Sequence, residues 1–368
     1  MNTRTATPTA PWLAIAGEAS GDALLGAALE ATTVGPWWGV GGDAAEAAGV
    51  GLVRHASALA GQGLGEAIST VPAVISTLRM VKARLRGCRG ALLVDFPELN
   101  MRVLKAAERV GVPVAWLSPP QAWAWRSWRS AGVARAQWVG CLMPFESDWY
   151  RSRGVPAHWV GHPLAERLMP ELPSAPAVCL LPGSRDPAVA RLLPLMLTAA
   201  IRLRRQWPEL GFHLPVAPTV DRAPVVAAIR ASGLPVRIWS SSAEALAAST
   251  VVLSTAGTSS LEATLAGRPV VVAGHLPAGA AWVARRLVRV PHVALPNLIL
   301  GREAWPELVL DACTPEAMAE RLGEMAAVPE RWREPLSALR DRMTHPEGGT
   351  FAERIAEGLA SLPPVRRP

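Results

Sequence analysis

Short apolar runs recur along this chain at intervals too wide for hairpins: WLAIA at 12–16, ALLVD at 91–95, PVAWL at 113–117 and WVGCLM at 138–143. Runs this short, bounded by Gly, Pro or Asp, read as buried strands, and the amphipathic stretches at 66–86 and 100–110 read as helices between them. Strand and helix patterns in alternation imply a parallel sheet covered on both faces.

After the Pro-rich stretch GHPLAERLMPELPSAPA (161–177), which reads as a linker, the alternation begins again. VCLLPGSRD (178–186) is a strand followed by a turn, 187–206 a helix, and FHLPVA (212–217) and VRIW (236–239) are further strands. The segment 250–274 runs strand, turn, helix, strand. An α/β chain of two Rossmann-like, doubly wound domains follows, with expected boundaries at 1–170, 171–350 and a C-terminal helix and tail at 351–368. The length of 368 residues suits two such domains.

Composition narrows the class. Hydrophobic residues make up 50% of the chain and mean hydropathy is +0.21, yet no uncharged apolar run reaches the roughly 18 residues a membrane span needs. The N-terminal MNTRTATPTAPW lacks a secretory pattern, which predicts a cytoplasmic protein. Cys88, Cys141, Cys179 and Cys313 are scattered without metal-ligand spacing, so buried thiols are expected, with neither zinc nor disulfides.

Net charge is +7, and all but Lys82 and Lys105 of the 37 basic residues are arginine. That balance favours an anionic partner, although a GC-rich codon bias accounts for it equally well. No nucleic-acid module interleaves aromatics with these charges. Fifteen tryptophans against one tyrosine and four phenylalanines point instead to a membrane–water interface, where Trp sits beside anionic head groups.

In doubly wound sheets a ligand binds outside the carboxyl ends of the strands, so the residues just after each run carry the information. After Ala16 come Gly17, Glu18, Ser20, Gly21 and Asp22; after Val94 come Asp95, Glu98 and Asn100. In the second half Gly183, Ser184 and Arg185 follow one strand, and Gly257, Thr258, Ser259 and Glu262 follow another. Gly17 and Gly21 read equally as a tight turn, with Ser20 or Asp22 capping the next helix. PGSR before a helix offers backbone N–H groups and a guanidinium to a phosphate. Glu262 can reach a ribose diol or serve as an ordinary first-turn acid. Together the loops describe a nucleotide-diphosphate donor held by one domain and an acceptor activated by the other.

The motifs AGEASGD, GVGG, SPPQAWAWR, MPFE, VGHPLAE, LLPGSR, GTSSLEATLAGRPVVV and VPHVALPNLILGRE, in that order over residues 11–345, resemble the lipid-A-disaccharide synthase family. The resemblance implies a GT-B glycosyltransferase with two domains facing a central cleft, inverting and without a metal or other cofactor. Its substrates are UDP-2,3-diacylglucosamine and 2,3-diacylglucosamine 1-phosphate, its products the β(1→6) disaccharide 1-phosphate and UDP. It also implies work at the inner face of the cytoplasmic membrane as a peripheral protein, and the family's dimers extend the expectation to a homodimer.

By the same resemblance Glu18 is an essential acid lining the sugar site, with Ser20 and Asp22 supporting it. The family's Asp-x-Pro-Asp-x-Asn reads DFPELN here, which puts Glu98 at the position of the catalytic base, with Asp95 and Asn100 beside it. A carboxylate on a longer arm matters, because a misplacement of about 1 Å can cost roughly 100-fold in rate. Arg185 would neutralise the departing diphosphate. Trp123, Trp125 and Arg126 form a loop near the acceptor or the bilayer, or pack locally; RMVKARLRGCR (79–89) lies on anionic lipid or is a solvated helix face. His162 positions the interdomain link, and Asn297 lies toward the donor. The chain departs from the family at Asp43-Ala44-Ala45, where Pro-Arg-Met is usual, at Ala188 in place of Glu and at Leu310 in place of Gln. Those changes leave two alternatives: a related GT-B transferase on another UDP-sugar, or a non-catalytic relative that binds UDP or lipid.

Overall fold

The computed structural model describes residues 10–59, 70–275 and 290–366. The extreme N-terminus, the first residues of the helix expected at 66–86, and the last two residues of the tail lie outside them. Two compact units account for the described chain: residues 10–59, 70–163 and 345–366 in the first, 164–275 and 290–344 in the second.

The first unit is one parallel sheet of seven strands. They are β1 (Trp12–Ala16), β2 (Trp37–Gly41), β3 (Val50–His55), β4 (Gly90–Val94), β5 (Val114–Leu117), β6 (Trp138–Cys141) and β7 (Ala157–Trp159), in the order β3-β2-β1-β4-β5-β6-β7. β1, β4, β5 and β6 are buried along their whole length, as a sheet covered on both faces requires, and these are the apolar runs visible in the sequence. β2, β3 and β7 were not visible there. β2 reads WWGVG, and Gly39 is needed because a Cβ would stand 1.8 Å from Ala14 O of the neighbouring strand. β3 is largely half-exposed, and β7 is only three residues long at an edge.

The helix at Pro97–Arg109 begins earlier than its expected start because Pro97 fits the first turn. Its buried face, Leu99, Val103, Leu104 and Ala107, keeps the helical period. The C-terminal residues 345–366 belong to this unit and are not a separate tail. Their helix, Phe351–Ala360, opens on a capping box between Thr350 and Glu353 and buries Phe351, Ile355 and Leu359, four residues apart. Gly358 lies against Trp138, where a Cβ would meet the indole at 2.3 Å. Arg354 Nε donates to Val160 O at 2.9 Å.

The second unit repeats the plan with six parallel strands: β8 (Ala177–Leu181), β9 (Gly211–Pro215), β10 (Arg237–Trp239), β11 (Val251–Thr255), β12 (Val270–Gly274) and β13 (Glu307–Val309). Their order is β10-β9-β8-β11-β12-β13. The Pro-rich stretch leading into β8 is fastened down by Arg268, which is 1% exposed. Its Nη2 donates to Pro170 O at 3.2 Å and Glu171 O at 2.7 Å, and its Nε to Leu246 O at 2.9 Å.

In each sheet the strand order reverses direction once, between β1 and β4 and between β8 and β11. Chains leaving these adjacent parallel strands diverge to opposite faces and open a crevice at the carboxyl edge.

Candidate active site

Residues Gly17–Asp22 leave β1 beside residues Asp95–Asn100 leaving β4, since Ala16 is paired with Val94. A Cβ on Gly17 would fall 2.3 Å from the Phe96 ring, so only glycine lets these turns close together. Asp95 and Phe96 both take left-handed backbone conformations, with φ of 47° and 43°. Asn100, wholly buried, holds that strained pair: its Nδ2 donates to Asp95 O at 2.7 Å and Val94 O at 3.2 Å. Among the described residues the non-glycine positions with positive φ are Asp95, Phe96, Ser118, Arg126 and Leu310. All follow the carboxyl ends of β4, β5 or β13, so in both sheets the strained backbone lies on the carboxyl side, where strain often accompanies function.

Asp22 does not cap its own helix, Ala19–Leu29, whose N-cap position is Glu18 and which has no side-chain cap there. It reaches the next turn instead. Gly42 N donates to its Oδ1 at 2.6 Å, Ala45 N to the same oxygen at 3.1 Å and Ala44 N to Oδ2 at 3.0 Å. Asp22 thus ties the AGEASGD turn to the GVGG turn and caps the short helix Asp43–Ala47. The expectation that Ser20 or Asp22 caps the first helix is corrected: Ser20 is exposed, and Asp22 is occupied by backbone amides. Glu18 is half-buried at the mouth of the turn.

Glu98 sits in the first turn of its helix with 56% of its side chain exposed, and Arg129 Nη2 lies 3.3 Å from its Oε1. Arg129 comes from the tryptophan-rich loop after β5. In that loop Arg126 stacks over Trp125 at 4.2 Å, and Trp125 and Trp128 are 40% and 69% exposed. Trp123 turns inward, donating from Nε1 to Glu146 Oε1 at 2.9 Å. Glu146 is 6% exposed. Burial pushes its carboxyl up; hydrogen bonds from Met143, Trp123 and Leu142 oppose the rise, and the nearby Asp95 charge adds to it. Glu146 ends the MPFE motif, where the sequence alone does not distinguish it from an ordinary first-turn acid.

In the second unit, Pro182–Arg185 leaves β8 beside the turn after β11, with Leu181 paired to Ser254. Gly183 and Gly257 have φ of 122° and 126°, a region that other residues enter only with strain. Among the described residues nothing stands within 4 Å of a Cβ built on Gly257, at the start of the helix Thr258–Leu265. Arg185 is the exposed N-cap of the helix Asp186–Gln206. Thr219 Oγ1 donates to Ser184 O at 2.7 Å, and Asp221 N to Asp186 Oδ1 at 2.9 Å, which fixes that turn. Two helix N-termini therefore open side by side, an arrangement that attracts a diphosphate. Thr258 is exposed at the start of the second helix, whereas Ser259 is bonded to Ser254 Oγ at 2.9 Å. Glu262 accepts from Ser242 Oγ at 2.7 Å and borders an apolar pocket of about 170 Å³ walled by Leu164, Leu168, Pro170, Leu246 and Leu265.

Two residues expected near substrate are internal. Asn297 is fully buried; its Nδ2 donates to Trp305 O and Glu307 Oε1, each at 2.8 Å, and its Oδ1 accepts from Ala304 N and Trp305 N. With all of these bonds made inside the protein, it braces the chain before β13. His162 is buried just after β7. Among the described residues no group of three or more His, Cys, Asp or Glu could hold a metal ion, and no helix is long and apolar enough to cross a membrane. The four cysteines are free and buried.

The profile of the lipid-A-disaccharide synthetase family matches residues 13–337. The lipid-A-disaccharide synthase of Anaeromyxobacter dehalogenans (strain 2CP-C) is 41% identical over 302 residues, 76% of this chain and 78% of that one. The enzyme of the same name from Myxococcus xanthus (strain DK1622) is 35% identical over 377 residues, 96% and 98% of the two chains. In fold, the chain is similar to UDP-GlcNAc 2-epimerase from Neisseria meningitidis, with a TM-score of 0.64, 14% identity, and coverage of 95% and 99%.

Proposed function

This chain belongs to the lipid-A-disaccharide synthase family of glycosyltransferases, and on that premise we propose that it transfers the diacylglucosamine of UDP-2,3-diacylglucosamine to the 6-hydroxyl of 2,3-diacylglucosamine 1-phosphate. UDP departs with inversion at the anomeric carbon and without a metal. One observation carries the reading: Arg185 and two adjacent helix N-termini open at the switch point of a GT-B-type, Rossmann-like unit. Such an arrangement neutralises a departing diphosphate.

Glu262, at the edge of its apolar pocket, suits the nucleoside. In the first unit Glu98 takes the proton from the attacking hydroxyl. Its carboxylate is accessible, oriented by Arg129, and carried on the helix that follows β4. Asp95 and Glu18 line the same edge. Trp125, Trp128 and Arg126 support peripheral contact with an anionic membrane at the cytoplasmic face, since they expose indole and guanidinium together.

The test is a reaction of the purified protein with both lipid sugars in detergent, with the product examined by NMR. A β(1→6) linkage supports the reading, and an α linkage or another position overturns it. Leu310, held at φ 57° after β13 where the family carries Gln, favours a second reading of altered acyl preference or silent UDP binding. UDP binding without product would select it.

A further inference from the structure

The loop between β5 and the helix Ser130–Val133 begins at Ser118, with φ of 53°, and ends at Arg129, the partner of Glu98. It carries two exposed tryptophans, Trp125 and Trp128, so burial of those rings does not hold it. Two hydrogen bonds do, and both come from one face of the helix Pro144–Arg151. Tyr150 Oη donates to Pro120 O at 2.5 Å. Four residues earlier, Glu146 Oε1 accepts from Trp123 Nε1 at 2.9 Å, and the Trp123 ring packs edge-on to Phe145 at 4.9 Å.

Glu146 uses its two oxygens for separate tasks. Oε2 accepts from Leu142 N at 3.1 Å and Met143 N at 3.0 Å, closing the start of its own helix. A helix cap needs nothing more. Oε1 instead reaches across 23 residues of sequence to the indole. A glutamine has one acceptor oxygen and cannot serve both the backbone amides and the indole N–H. A carboxylate is costly to bury without a cation, and three N–H donors offset that cost.

We propose that Glu146 is a positioning residue for sugar transfer: it latches Trp123 and so presets the 118–129 loop that brings Arg129 against Glu98. The inference rests on the reading of Glu98 as the base. Glu146 touches no reacting atom; it acts through Trp123 and Arg129.

The experiment compares Glu146→Gln with Trp123→Phe in the full-length protein. Trp123→Phe removes the indole N–H and leaves the Glu146 helix cap in place, so it stays informative if Glu146→Gln folds poorly. Each is expected to lower kcat by roughly 10- to 100-fold, the scale of a misplacement near 1 Å. The Kd for UDP should stay within about twofold, and backbone hydrogen exchange across residues 121–129 should speed up. Wild-type kcat and wild-type loop exchange in Trp123→Phe would overturn the proposal, as would a loss of UDP affinity equal to the loss of kcat. Loop exchange is read without substrate. Faster exchange in the variants of an inactive wild-type protein would therefore preserve the latch and overturn the proposed transfer that it is meant to serve.

Discussion

Arg129 Nη2 lies 3.3 Å from Glu98 Oε1, and the two partners meet solvent very differently: 14% of the arginine side chain is exposed against 56% of the glutamate. A fixed guanidinium holds one oxygen of a carboxylate that remains accessible to a hydroxyl. Glu98→Gln keeps the shape and removes the basicity. Turnover should fall by roughly 100-fold or more, the usual contribution of a general base, while the Kd for UDP measured by calorimetry stays unchanged. Retained turnover would transfer the role to Asp95 or Glu18.

Arg185 stands at the N-terminus of a 21-residue helix. A charged hydrogen bond to phosphate contributes about 1.5–3 kcal/mol, so Arg185→Ala should weaken UDP binding by roughly 10- to 100-fold. Unchanged affinity would remove the arginine from the diphosphate site.

Asp22 is the acceptor for three backbone amides across the AGEASGD and GVGG turns. Asp22→Ala leaves those donors without partners and should cost about 2–4 kcal/mol in urea unfolding, by the scale of buried unmade hydrogen bonds. Asp22→Asn keeps one acceptor oxygen and should cost less. If alanine costs no more than asparagine, the cap is not what holds the two turns together.

His213 is held below the usual histidine range, first by burial and then by the neighbouring Arg237 charge. Its Nδ1 lies 3.0 Å from Ser249 Oγ. A histidine kept neutral in the folded state binds fewer protons than in the unfolded state once the pH drops below 6.5. The stability it contributes is therefore present above that pH and is lost as pH falls toward its folded value. His213→Asn should shrink the difference in unfolding free energy between about pH 7.5 and pH 5.5, a window set by that value. An unaltered difference would contradict the assignment.

The sequence revealed those strands that are buried on both faces, since WLAIA, AVCLL and their like form unbroken apolar runs. It concealed β2, interrupted by a glycine that clears Ala14 O, and the edge strands β7 and β13, too short to show a period. Site residues divide along a different line. The glycines and the helix starts after β8 and β11 were legible because turn chemistry is local. Whether a polar side chain faces a ligand or the protein's own backbone depends on what folds beside it, and here sequence reasoning had no purchase. Asp22 and Asn297 face inward to amides and carbonyls; Glu146 and Arg268, which fasten loops at the two edges, carried no local signal.

In the proposed glycosyl transfer, helix N-termini and Arg185 take the part that a metal plays in other enzymes. Its most direct test is turnover of the purified protein on UDP-2,3-diacylglucosamine and 2,3-diacylglucosamine 1-phosphate after EDTA treatment, with disaccharide and UDP quantified together. Equal amounts of both products, at a rate unaffected by EDTA, are the predicted result. Activity lost with EDTA and restored by a divalent cation, or UDP released without disaccharide, would contradict it.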